Sequence, residues 1–328
     1  MILAGDIGGT KTNLALYEIK QNQPILVIKE QFSSKNYDSL MQIIKEFHIK
    51  NGTPLIEAVC IGIAGPIIEQ RCKTTNLPWH INASEIMDFF NTRKVRLLND
   101  LEATAYGMSY LKEEEFVELN PNAKKQKGNI AVIAAGTGLG EAILYWDGVS
   151  YTPIGTEGGH SDFAPTTKKE DELLLWLRKK YPSHVSVERV ASGMGISNIY
   201  DFLVSSNFAK EPSKILNMSE GMDKGAMISK CALEDKDILC QETLKLFMEV
   251  YGSEAGNLAL KSFSLGGVFI GGGIAPKLLT ILKEEYFYNR FISKGRFESL
   301  LKTIPLKVSL NQETALLGAV RFAFDKLS

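Results

Sequence analysis

The sequence predicts an α/β protein built from two related units. A strand–glycine–strand–turn–strand order occurs around Gly8 and again around Gly136. Each copy is followed by segments whose apolar residues recur at helical spacing. The length, 328 residues, is about two domains' worth of chain.

The opening stretch, Ile2-Leu3-Ala4-Gly5-Asp6-Ile7-Gly8-Gly9-Thr10-Lys11-Thr12, joins an apolar run to an acid, two glycines and three polar side chains. Asn13-Leu14-Ala15-Leu16-Tyr17-Glu18-Ile19 carries no helical stripe. The turn cluster Gln21-Asn22-Gln23-Pro24 then precedes the apolar Ile25-Leu26-Val27-Ile28. These are three strands and two turns. Glycines at such a turn let backbone N–H groups approach an anion. Asp6, at the strand end, could hold a hydrated Mg²⁺ carried by a nucleotide. Taken alone, Gly8-Gly9 is also read simply as a hairpin turn. Thr10 stands where a Walker A loop needs glycine before the lysine, and a strand follows instead of a helix, so the stretch is not a P-loop.

Further along, Asp38 is placed to cap a helix carrying Leu40, Met41, Ile43, Ile44 and Phe47 on one face, and Asn51-Gly52-Thr53-Pro54 stops it. A buried strand over 58–63 ends in the Ala64-Gly65-Pro66 turn, and a polar loop carries Thr75-Asn76-Leu77-Pro78-Trp79. A short helix over 83–90, a strand over 95–98 ending at Asn99-Asp100, and a helix over 101–110 follow. The polar, lysine-rich segment 120–128 reads as the passage into the second unit.

That unit opens with a strand over 130–135, the turn Gly136-Thr137-Gly138, a strand over 139–146, the hairpin signal Asp147-Gly148 and a third strand over 149–154. Helices are expected near 170–181, 192–203 and 235–261. A strand, Gly267-Val268-Phe269-Ile270, then ends in Gly271-Gly272-Gly273. The tail over 312–327 spaces Ala315, Leu316, Ala319, Val320 and Ala323 as an amphipathic helix does.

Each of the three glycine turns at strand ends could be a tight turn by itself; together they suggest a nucleotide gripped from several sides, with three unrelated turns as the alternative. Residues from Ala275 onward read as helical, which would bring a helix N-terminus to a phosphate or ribose. Asn99-Asp100 ends a strand, where α/β sheets present ligands. A carboxylate there can accept a proton from a hydroxyl attacking phosphorus, and the amide beside it can hold a neighbouring hydroxyl. An N-cap before an apolar helix is an equally good reading. Glu157-Gly158-Gly159-His160 puts an acid and a histidine on one tight loop, suited to paired hydrogen bonds with vicinal hydroxyls. A loop histidine satisfied by backbone or water is the plainer alternative. For Glu188, in Val185-Ser186-Val187-Glu188-Arg189, a salt bridge at a helix start is the default.

Composition narrows the partners. A formal charge of −1 with no basic face argues against nucleic acid or a membrane surface as the main partner. The four cysteines, Cys60, Cys72, Cys231 and Cys240, are scattered, so neither a disulfide frame nor a structural zinc site is indicated, as befits a reducing cytoplasm. No secretory signal opens the chain, and the most apolar stretch, 265–275, is about half a membrane span. A soluble, cytoplasmic protein is expected.

The motifs Gly5-Asp6-Ile7-Gly8-Gly9-Thr10, Ile63-Ala64-Gly65-Pro66, Asn76-Leu77-Pro78-Trp79, Leu98-Asn99-Asp100, Gly136-Thr137-Gly138-Leu139-Gly140, Glu157-Gly158-Gly159-His160 and Phe269-Ile270-Gly271-Gly272-Gly273 occur in the order found in bacterial glucokinases. From about residue 2 to about 325 the chain resembles the proteobacterial-type glucokinases of the hexokinase/actin-like ATPase superfamily. The resemblance implies two RNase H-like domains with mixed sheets around a central cleft. It places a small domain at 1–110, with a helix over 312–328 packing back on it, and a large one at 111–311. It also implies Mg²⁺, ATP and D-glucose as ligands, a homodimer, and ATP:hexose 6-phosphotransferase activity.

By motif, Asp100 is then the base for the sugar 6-hydroxyl. Asn99, Glu157, His160 and Glu188 are sugar ligands, with Gly65 and Asn76 nearby. Gly5, Asp6, Ile7, Gly8, Gly9, Thr10, Gly136, Thr137, Gly138, Gly271, Gly272 and Gly273 take the nucleotide, Asp6 holding its Mg²⁺ through water. Sugar kinases of the repressor/ORF/kinase group follow the same Glu-x-Gly-His spacing with a cysteine-rich zinc loop. Here Ser161-Asp162-Phe163-Ala164-Pro165 has no cysteine, which favours the zinc-free branch. Lys11 departs from the asparagine often found there, leaving its role open. Kinases for another hexose or an N-acetylhexosamine, and a sugar-binding regulator without catalysis, are the competing functions. Trp79 and its loop are the candidates for crowding a bulky 2-substituent.

Overall fold

A computed structural model describes residues 1–74, 76–219 and 221–327; Thr75 of the expected polar loop lies outside them. The strand Ile2–Ile7 (β1) is almost wholly buried and pairs antiparallel with Lys11–Lys20 (β2), which pairs with Gln23–Ser33 (β3). Gln21 and Asn22 take φ of 51° and 58°, the left-handed pair that a two-residue hairpin turn needs to follow the strand twist. Leu40–Lys50 (α1) buries Leu40, Ile43, Ile44 and Phe47. Its cap is Ser39, which accepts Gln42 N–H at 3.4 Å. Asp38 instead bonds the Gln42 side chain, so the expected cap moves by one residue.

Ala58–Ile63 (β4) runs parallel to β1, and after a small hairpin, Arg71–Lys73 (β5) and His80–Asn82 (β6), comes Ala83–Phe90 (α2). Val95–Asn99 (β7) runs parallel to β4 and leads directly into Asp100–Met108 (α3). The first sheet therefore has the order β3-β2-β1-β4-β7.

The second sheet repeats that scheme. Its first four strands in the chain are Phe116–Glu118 (β8), Ile130–Ala135 (β9), Leu139–Trp146 (β10) and Tyr151–Thr156 (β11). The strand expected over 149–154 starts two residues later, because Asp147 Oδ1 accepts both Val149 and Ser150 N–H and draws them into the turn. Lys168–Lys180 (α4), Gly193–Ser205 (α5), Ser213–Leu216 (α6), Lys224–Lys230 (α7) and Ile238–Lys261 (α8) follow. The chain then runs through Gly267–Gly271 (β12), Leu279–Leu282 (α9), Glu285–Ile292 (α10), Glu298–Leu301 (α11), Leu306–Ser309 (β13) and Thr314–Phe322 (α12). The order is β11-β10-β9-β12-β13-β8: a three-strand meander, two parallel crossovers and one added edge strand.

Contacts divide the chain into Met1–Glu115, Ala142–Gly155 and Asn311–Ser328 as one unit, and Phe116–Glu141 and Thr156–Leu310 as the other. In the first, one core lies between the sheet and the side carrying α1 and α2, and a second joins the sheet to α3 and α12. The two helices on that second face touch through glycines. A Cβ at Gly318 would stand 1.7 Å from Ala103 O, and one at Gly107 would stand 1.9 Å from Thr314 O. The second unit has one large core around α8, most of whose residues are buried.

Candidate active site

Register alone brings three predicted segments of the first unit to one edge. Ile7 is level with Ile63, and Ile63 with Asn99, so β1, β4 and β7 end together. Open α/β sheets bind ligands at such carboxyl ends. At the end of β1, Asp6 is half-buried. Burial holds its carboxyl above the usual range, and a hydrogen bond from Asn13 at 3.4 Å opposes this. Gln31 orients Asn13 at 3.0 Å. The Gly8–Lys11 turn closes on its own backbone, Gly8 N–H to Lys11 O at 2.9 Å. Ser34 clamps it: Ser34 Oγ donates to Gly8 O, Ser34 N–H donates to Thr10 O, and the hydroxyl also meets buried Thr12. A Cβ at Gly9 would lie 2.7 Å from that of Asn76, so the opening turn and the Asn76 loop press together. Thr10 and the Lys11 side chain are exposed.

Trp79 is not a wall of the site. It is 1% exposed, its Nε1 donates to Tyr37 O, and it belongs to the core beneath the loop. An aromatic of that size contributes more to burial than it could to a polar pocket.

At the end of β7 the N-cap reading of Asn99 holds. Asn99 is the N-cap of α3, accepting Leu101 N–H at 2.8 Å, while Glu102 accepts Asn99 N–H to complete a capping box. The other end of the Asn99 amide donates to Gly65 O at 3.1 Å and so ties down the neighbouring loop. Gly65 has φ +145°, a backbone that disfavours any side chain. Asp100 is the first residue of α3 and half-buried, and its Oδ1 accepts Leu101 N–H at 2.9 Å. Burial pushes the Cys72 thiol up, and the Asp100 charge adds to this, which sets Cys72 and Asp100 at the same edge.

In the second unit the parallel partners β9 and β12 end level, Ala134 beside Gly271. The Gly136 turn is closed by Gly136 N–H to Gly138 O at 2.8 Å. Gly272, at φ +81°, stacks against it so tightly that a Cβ would stand 2.3 Å from Ala135 O. Two of the three glycine turns thus meet, with Thr137 exposed and Gly273 open on one side. The helix expected after Ala275 is a correction: residues 272–278 turn, and α9 has only four residues. The helix start at this point is that of α5, whose Gly193 N–H donates to Gly136 O at 2.8 Å. The helix itself is expected from the sequence over 192–203; its placement beside the Gly136 turn is not, because Gly193 is far from the turn in the chain.

Glu157 precedes and His160 ends a single 3₁₀ turn, with His160 Nε2 4.0 Å from Glu157 Oε2, and both side chains are exposed. Among the described residues Glu188 has no salt-bridge partner. Its Oε2 accepts Leu139 N–H at 3.0 Å, and Arg189 lies over the Tyr181 ring at 4.4 Å. The first residues of β10 therefore anchor Glu188 on one side and the Glu157–His160 turn on the other. Among the described residues no group of three or more His, Cys, Asp or Glu could hold a metal ion, and no helix is long and apolar enough to cross a membrane.

The paired α/β units with mixed sheets have the actin-like ATPase fold of sugar kinases. A ROK-family glucokinase from Streptomyces griseus, solved with glucose and AMPPNP, superimposes with a TM-score of 0.65 at 17% identity over 98% of both chains. A glucokinase from an Antarctic psychrotroph superimposes with a TM-score of 0.83 at 33% identity, covering 97% of each. A glucokinase from Nostoc punctiforme is 41% identical over 97% of both chains. The glucokinase family model matches residues 3–326, and the chain belongs to that family.

Proposed function

We propose that the protein transfers the γ-phosphoryl group of ATP to the 6-hydroxyl of D-glucose, with Asp100 taking the proton from that hydroxyl. The observation that carries this reading is the level ending of β1, β4 and β7, which puts the Gly8 turn, the Gly65 loop and Asp100 at one sheet edge. Phosphoryl transfer passes through a loose transition state, so positioning and charge neutralisation do most of the work. Asp100 orients the attacking oxygen and accepts its proton late. Asn99, while capping α3, supports the sugar loop through Gly65. Glu157, His160 and Glu188 read other hydroxyls, with Asn76 beside the opening turn. Backbone N–H groups of the turns 5–10, 136–138 and 271–273 receive the nucleotide.

Asp6 fits the hydration shell of a nucleotide-borne Mg²⁺. It is one carboxylate raised by burial and answered by a single amide, a site that a cation would relieve. When bound, the ion neutralises phosphate charge. A homodimeric, cytoplasmic enzyme is part of the same reading, through the family. The test is ADP release over a panel of hexoses and N-acetylhexosamines with Asp100→Ala as control. Turnover on glucose should exceed that on the 2-substituted sugars, and the variant should lose about 10²–10⁴-fold. Equal turnover across the panel contradicts the glucose assignment, and undiminished turnover in the variant contradicts the base.

A further inference from the structure

Beneath the Glu157–His160 turn lies a carboxyl that the phosphoryl-transfer reading leaves unused. Glu141, the third residue of β10, is 2% exposed, and its Oε1 has no hydrogen-bond partner. A Cβ on Gly158 would stand 2.0 Å from Glu141 Oε2, so the carboxyl occupies the space directly under the turn. Thr156 stitches the two together: its hydroxyl donates to Glu141 O at 3.0 Å and accepts Gly158 N–H at 3.2 Å. A Cβ at Gly159 would meet Leu139 O at 2.0 Å, so the turn lies flat on β10 with no slack. From α8, Glu254, Lys261 and the Tyr251 phenol face Glu141. Glu254 is occupied by Asn257 and Lys261. On the turn itself the titratable groups are Glu157 and His160, both exposed.

We propose that Glu141 is a positioning residue of the sugar-binding turn: its protonated carboxyl fits under Gly158 and holds Glu157 and His160 in place, whereas its carboxylate displaces the turn and weakens sugar binding. This rests on the assignment of Glu157 and His160 to sugar hydroxyls. The physical cause is that an ionised, unpartnered carboxylate demands hydration that the floor of the turn does not offer.

Burial, reinforced by the Glu254 charge and opposed by Lys261, pushes the Glu141 carboxyl up from 4.5 to about 7. The folded protein therefore keeps this proton through a window in which the unfolded chain has lost it. Stability from this group is greatest at the acid end and is lost as pH rises from 4.5 to about 7.

Glucose KM, ATP KM and kcat of the wild type, Glu141→Gln and Glu157→Gln, measured across the neutral range, test the proposal. In the wild type, glucose KM should rise severalfold through neutrality while kcat and ATP KM do not follow it. Glu141→Gln should flatten that rise, and its melting temperature should change less with pH than the wild type's. Superimposable KM–pH curves for wild type and Glu141→Gln overturn the proposal. Glu157→Gln separates the two levels. If it raises glucose KM while the Glu141 curves coincide, only the role of Glu141 falls; if it leaves glucose KM unchanged, the sugar-turn assignment falls with it. Should Glu141→Gln not fold, Glu141→Leu, which removes the ionisable group at similar length, is read in the same way.

Discussion

The hairpins β1–β2 and β9–β10 are the same device built from different chemistry. Each opens a meander, ends its first strand at a glycine turn, and is followed by a parallel neighbour level with it. The fifth residue is Asp6 in one and Ala134 in the other, opposite Gly62 and Gly271 respectively. The third residue of the returning strand is Asn13, which answers Asp6, or Glu141, which answers no acid or amide on β9. The first turn adds side-chain clamps, the Ser34 and Thr12 hydroxyls, to its backbone bonds; the second is held by backbone packed against backbone, through Gly272 and Gly193. A shared scaffold thus gives one end a charge to present and the other a bare main chain.

That contrast breaks most visibly at the glycines. Gly272→Ala puts a Cβ against Ala135 O at a left-handed φ, and should destabilise the protein by about 3 kcal/mol or more in denaturant unfolding. Gly8→Ala, whose Cβ would be 3.3 Å from Lys11 O, should cost only about 1 kcal/mol. Equal costs would mean that the two turns are held in the same way.

Asp6→Asn sharpens the comparison from the chemical side. Loss of the carboxylate should weaken use of Mg-nucleotide by about 10–100-fold in kcat/KM. Because burial raises the Asp6 carboxyl, its ionisation costs folding energy as pH climbs above the acid range. The variant should therefore melt higher than the wild type at neutral pH; a lower melting temperature would contradict the buried, cation-seeking carboxylate. An effect as small as that of Gly8→Ala is expected from Ser34→Ala, about 1 kcal/mol for its lost hydroxyl bonds, with a larger proportional effect on ATP KM than on glucose KM.

What could be read from the sequence was local. The strands announced themselves as apolar runs, the turns as glycines, and Asn99-Asp100 as a polar pair at a strand end. The Asn99 amide both caps α3 and ties down the Gly65 loop, because it has two ends and both are used. What escaped depended on contacts between distant segments. Ser34 and Gly193 look like ordinary polar and turn residues until the fold sets them against Gly8 and Gly136. For Glu188 the local sequence suggests a salt bridge at a helix start, whereas the fold offers it the Leu139 amide. Trp79 read as part of a loop and proved to be core. The one signal that Glu141 gave was its own oddity, an acid inside an apolar strand.

The most direct measurement of the central claim is single-turnover phosphoryl transfer by Asp100→Asn, taken together with its glucose affinity by calorimetry. Transfer slower by about 10²–10⁴-fold, with glucose binding largely retained, is the predicted result. Transfer at the wild-type rate with glucose bound would contradict the account of Asp100 as the base.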